Sequence, residues 1–80
     1  MKAVHVQYFA ILREQRGAAA EKLETDAPDP GALYAELRQR YGFTLPVERV
    51  RAAVNGDFVP ISRPLRDGDT LVFIPPVAGG

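Results

Sequence analysis

Thr70-Leu71-Val72-Phe73-Ile74-Pro75-Pro76 sets four consecutive apolar residues directly before two prolines. An unbroken apolar run of this kind, opened by the turn Arg66-Asp67-Gly68-Asp69, is the pattern of a central strand with both faces covered. Proline has no N–H to give to a sheet ladder, so the strand must stop at Ile74. Whatever else the chain forms has to surround this strand.

Working outward, Val4, Val6 and Tyr8 alternate with His5 and Gln7, which marks a strand with one face in the core. Phe9 continues the polar face, an odd place for an aromatic residue. Ala10 to Arg16 follow as one or two helical turns closed by Gly17. Ala20 to Thr25 return as a second, short strand with Leu23 inward. Asp29 and Pro30 make the clearest helix start in the chain: the aspartate caps free N–H groups, and proline suits the first helical position. Leu33, Leu37 and Tyr41 then form one apolar stripe with Tyr34 at its margin, and Gly42 ends the helix.

Val50 to Val54 form a strand with Val50, Ala52 and Val54 inward. Asn55-Gly56 is the favoured pair for a tight hairpin, and Phe58-Val59 return as far as Pro60. One main helix can cover only one face of the resulting sheet. The expected fold is therefore α+β: a mixed five-stranded β-grasp (ubiquitin-like) sheet, its last strand central and beside the first. Residues 1–74 make the domain and residues 75–80 an extended tail.

Composition narrows the functions available. Lys plus Arg equals Asp plus Glu, so the formal net charge is zero. The broad attraction of a nucleic-acid or membrane-surface binder is missing. The chain has no cysteine, which excludes disulfide staples, thiolate zinc sites and cysteine nucleophiles. No apolar run approaches the ~20 residues of a membrane span, and the first residues read as a strand rather than a signal peptide. A cytoplasmic address is expected.

Catalytic side chains are scarce. His5 stands alone on a solvent face, and Asp67 and Asp69 flank Gly68 as ordinary turn residues do. No glycine-rich phosphate loop and no nucleophile–base pair is found, so no bound cofactor or metal is expected. What remains is the end. Pro75 and Pro76 hold the base of an arm extended, while Gly79 and Gly80 remove side-chain bulk. Six residues in that state reach roughly 20 Å. A carboxylate presented so can enter a narrow tunnel in another protein.

The stretch Asp67-Gly68-Asp69 through Phe73-Ile74-Pro75-Pro76-Val77-Ala78-Gly79-Gly80 resembles the small subunits of molybdopterin synthase, a family of ubiquitin-like sulfur carriers. Tyr8-Phe9-Ala10, Leu12-Arg13-Glu14 and Ala52-Ala53-Val54-Asn55-Gly56 extend the resemblance along the whole chain. Pro-Pro-Val-Ala-Gly-Gly is its most specific element, since carriers for thiamine or tRNA thiolation share the glycines but usually lack Pro-Pro-Val.

The resemblance implies a carrier rather than an enzyme. A ubiquitin-activating-like adenylyltransferase would use ATP to adenylate Gly80, and a sulfur donor protein would convert the acyl-adenylate to a thiocarboxylate. The tail would then enter the large synthase subunit, in an assembly of two small and two large subunits, and give sulfur to a pterin precursor for dithiolene formation. Gly80 carries the sulfur on this reading and Gly79 lets it fit.

Residues alone also point to a partner surface. Phe9, Val72 and Ile74 fall on the sheet face opposite the helix, with Phe58 a neighbour, and the tail residues Pro75, Pro76, Val77 and Ala78 continue it. Arg13 matches a position that contacts partners in the family. A covering of this patch by loop residues 43–49 is the competing arrangement. A carrier for thiamine or tRNA thiolation, or a β-grasp interaction module with an inert terminus, are the competing functions.

Overall fold

Alternation, caps and turns settle each element where the residues demand. The computed structural model describes residues 1–76. Strand β1 (Lys2–Tyr8) is followed by helix α1 (Ala10–Arg16), β2 (Ala20–Thr25), α2 (Pro30–Tyr41), a 3-10 turn (Val47–Arg49), β3 (Arg51–Val54), β4 (Asp57–Val59) and β5 (Thr70–Ile74). The sheet order is β2-β1-β5-β3-β4, with β5 parallel to β1 and antiparallel to β3. This is the β-grasp arrangement, with the last strand central.

Helix α2 starts where expected. Asp29 Oδ1 accepts the Ala32 N–H at 2.8 Å, and Gly42 closes the helix in the left-handed region with φ 72°. Asn55 and Gly56 both have positive φ, as a two-residue hairpin requires. The two helices share the sheet face from which Val4, Val6, Tyr8, Leu71 and Phe73 project, and those residues are buried with Leu12, Leu33 and Leu37.

Two expectations need correction. Tyr34 is not marginal: it is fully buried, its ring 5.2 Å from Phe73 and 5.8 Å from Phe43, and its hydroxyl donates to the Leu45 carbonyl at 2.6 Å. That polar handle is why a tyrosine can occupy the core. Strand β5 is covered on one face only, since Leu71 and Phe73 are buried whereas Val72 and Ile74 are half-buried. A continuous apolar run marks a central strand here without a second covering layer.

The loop after α2 packs on the helix side. Phe43 is buried against Tyr8, Tyr34 and Tyr41, and Thr44 exchanges two hydrogen bonds with Gln15 of α1. It leaves Phe58 on the opposite sheet face exposed, and only Glu48 and Arg49 at its end reach the edge of that face.

Candidate functional site

On that open face the register lines up Gln7, Val72, Ala53 and Phe58 across four strands, with Ile74 and Arg51 paired in the next row. Val72 and Ile74 are half-buried, Ala53 is screened between Val72 and Phe58, and Phe58 is 66% exposed. Phe9 is 49% exposed and stands one residue beyond β1, in extended conformation, so it turns to the same side as Ile74. Ala10 then takes φ 52°, a left-handed value that costs a non-glycine residue roughly 1–2 kcal/mol. This sharp reversal into α1 leaves Phe9 at the rim.

Where β5 ends, Pro75 and Pro76 join Ile74, Phe58, Val50, Glu48, Arg49 and Arg51 in lining an open groove of about 600 Å³. Apolar strand face and tail base are thus one continuous surface. Arg13 does not line it. It opens into a second groove, with Ala10, Glu14, Gly17, Ala18 and Ala19. Val77, Ala78, Gly79 and Gly80 lie outside the described residues. Arg49, Arg51, Glu48 and Ala53 were not anticipated in the site, although the inward alternation of Val50, Ala52 and Val54 already turned Arg51 and Ala53 outward.

Two polar clusters position this face from behind. Glu21 of β2 accepts hydrogen bonds from the Tyr8 hydroxyl at 2.6 Å, the Arg16 Nε at 2.9 Å and the Tyr41 hydroxyl at 3.1 Å. Both helices are thereby tied to the first two strands. Burial alone would raise the Glu21 carboxyl, but these donors outweigh it and hold it below the ordinary carboxylate range. Burial and the bond to Glu21 push the Tyr8 phenol well above its usual value.

The second cluster gathers the turn before β5. Asp69, buried, accepts from the Arg66 N–H at 2.9 Å, the Asn55 amide at 3.0 Å and Arg63 Nη1 at 3.2 Å. Asp67 accepts the Ala3 N–H at 2.7 Å, and Asn55 Oδ1 accepts the Thr70 N–H at 3.0 Å. More than turn chemistry is involved, because these bonds stitch the β3–β4 hairpin and β1 to the start of β5. Burial raises the Asp69 carboxyl, yet its three donors bring it below its ordinary value.

Both carboxyls thus bind protons less readily folded than unfolded. Their stabilisation is complete above the unfolded carboxylate pKa near 4 and is lost as pH falls through the lower folded values. The melting temperature should hold steady between about pH 6 and 8 and fall below about pH 4. Asp69→Asn removes the charge and leaves a donor facing donors, costing on the order of 2 kcal/mol, or about 10 °C, at neutral pH. Its acid limb should also be flatter. Thermal unfolding followed by circular dichroism checks this, and an unchanged acid limb would remove Asp69 from the account.

Among the described residues no group of His, Cys, Asp or Glu is placed to hold a metal ion, and no helix is long and apolar enough to cross a membrane. The features of the open face are an apolar surface and, at the end of β5, two prolines.

Comparison with known proteins bears on this arrangement. The ThiS family model matches residues 6–80. The molybdopterin synthase sulfur carrier subunit of Mycobacterium tuberculosis is 40% identical, with all of both chains covered. That of Escherichia coli K12 is 38% identical over 96% of this chain and 99% of its own. Among solved structures, a protein–protein complex of subunits 1 and 2 of molybdopterin-converting factor from Helicobacter pylori matches with TM-score 0.66 and 25% identity. It covers 98% of this chain and 99% of the matched one.

Proposed function

Because the chain belongs to the ThiS family, and molybdopterin synthase sulfur carrier subunits are its full-length relatives, we propose that it is the sulfur carrier of a molybdopterin synthase. The observation that carries this reading is the continuity of the open apolar face with Pro75 and Pro76 at the end of the central strand. The domain offers a surface to dock and a backbone aimed off its edge; the reacting group lies beyond.

Gly80 supplies that group. A carboxylate is a poor electrophile, so ATP-dependent adenylation first provides a leaving group, and a sulfur donor then displaces it to give a thiocarboxylate. The thiocarboxylate is ionised at neutral pH and nucleophilic without a base. Gly79, with no side chain, lets the terminus enter the larger subunit, while Val77 and Ala78 fill the approach. Phe9, Phe58, Val72, Ile74, Pro75 and Pro76 dock on that subunit, and Arg13 contacts a partner from its separate groove. Acid–base groups and the pterin site belong to the larger subunit, in an assembly of two copies of each. The complex between subunits 1 and 2 of the related H. pylori factor supports such a pairing.

The full-length relatives favour a pterin acceptor over the thiamine and tRNA alternatives. The direct test is mass spectrometry of the chain incubated with ATP, the adenylyltransferase and a sulfur donor. Exchange of one terminal oxygen for sulfur is expected, followed by its loss when the large subunit and pterin precursor are added. A terminus that acquires no sulfur would overturn the proposal.

A further inference from the structure

Arg51 is the cation that the sheet register brings to the base of the tail. It pairs across the β3–β5 ladder with Ile74, the residue directly before Pro75. Its guanidinium carbon stands 6.0 Å from the centre of the Phe58 ring, and both residues line the groove with Pro75 and Pro76. Among the described residues, the ion pairs are Met1–Asp26, Arg16–Glu21 and Arg63–Asp69, so none of the described carboxylates pairs with Arg51. Glu48 shares the groove without forming an ion pair with Arg51, and Arg49 beside them adds a second positive charge.

This placement constrains what can cover the face. Phe58, Ile74 and Pro75 cannot be sealed from water while Arg51, lying between Phe58 and Ile74, stays wet. A guanidinium cannot shed its charge, and enclosing it unpaired costs several times what the neighbouring apolar contacts return. A purely apolar partner surface is therefore rejected. A surface with one well-placed carboxylate is accepted, because Arg presents a planar fork suited to bidentate pairing. The Phe58 ring, 6.0 Å from the guanidinium carbon, adds a weak cation–π attraction at this exposed site.

We propose that Arg51 is a specificity-determining residue of the docking face, and that the larger synthase subunit meets it with an aspartate or glutamate seated beside the socket for Phe58 and Ile74. The identity of that partner rests on the carrier reading above; the demand for a carboxylate rests on the groove itself. The consequence is discrimination: other apolar surfaces in the cell fail to capture the carrier.

The test is calorimetric titration of the purified large subunit with wild type, R51L and R51E, each at low and high salt. R51L should bind roughly thirtyfold or more weakly, since it strands the partner's carboxylate in a closed interface. R51E should be weaker still. Wild-type affinity should fall with salt, and R51L should lose part of that dependence. Arg51 is exposed, so unfolding temperatures of both variants should stay near wild type and serve as the folding control. R51L binding as tightly as wild type, or with an unchanged salt dependence, would overturn the role of Arg51 and leave the carrier reading standing. Self-association of wild type through this face, or absence of any wild-type binding to the large subunit, would overturn both.

Discussion

A chain lacking Gly80, or carrying one residue beyond it, is expected to fold as wild type and transfer no sulfur. The position lies past Pro75 and Pro76, where the ladder of β5 has already ended at Ile74, so the sheet does not depend on it. Deletion leaves a carboxylate on Gly79 that falls roughly 3.3 Å short of the reacting centre. A misplacement of about 1 Å can already cost a hundredfold in rate. Extension has the opposite fault: the Gly80 carbonyl becomes a peptide amide that cannot be adenylated, and the new terminal carboxylate overshoots the reacting centre by about the same distance. Gly79→Val should fail by a third route, its branched side chain blocking the passage while the terminus keeps its reach. Adenylate formation and terminal sulfur content by mass spectrometry separate these cases, with thermal unfolding as the control. Normal sulfur transfer by the chain lacking Gly80 would end the carrier interpretation.

The second large effect is expected from Ile74→Asp, which should weaken binding to the larger subunit by a hundredfold or more. Ile74 is half-buried at the end of β5, and the new carboxylate would fall opposite Arg51 in register. In the free domain that juxtaposition is tolerated, so the fold should survive. In the complex it sets a charge where an apolar contact is needed and diverts Arg51 from the partner. His5→Asp on the same face, paired with Thr70 at the other end of β5, should leave affinity within about twofold, since surface changes away from a contact are small. Equal losses for the two variants, measured by titration, would show that the docking surface is misplaced.

Much of this molecule was legible in its residues because local rules and the global fold agree. Alternation through Val4, Val6 and Tyr8, the cap at Asp29-Pro30 and the hairpin at Asn55-Gly56 each specify one element. The apolar run before Pro75 then puts the last strand in the middle. The burial of Tyr34 escaped because helical spacing places it beside the Leu33–Leu37 stripe. Only the return of Phe43 and the Leu45 carbonyl makes that margin part of the core. The clusters around Glu21 and Asp69 escaped for a related reason. Their partners come from elements separated along the chain, and an acidic residue in a strand or turn carries no sign of how many donors will converge on it. Arg51 was turned outward by the alternation of its neighbours, yet its role depends on which strands flank β3.

The parallel pairing of β1 with β5 also dictates when the domain can come into being. Its central ladder joins residues 5–8 to residues 70–73, so the entropy of closing a long loop must be met before the middle of the sheet gains anything. Folding should accordingly be slow for so small a chain. A nascent polypeptide synthesised only as far as Pro60 holds β1 and β2, and β3 and β4, with a gap where β5 belongs and two unpaired edges facing it. The residues proposed to carry sulfur follow β5 directly. No ribosomal product can offer them without also possessing the strand that completes the sheet, so termination before β5 yields chains that are both unfolded and unchargeable.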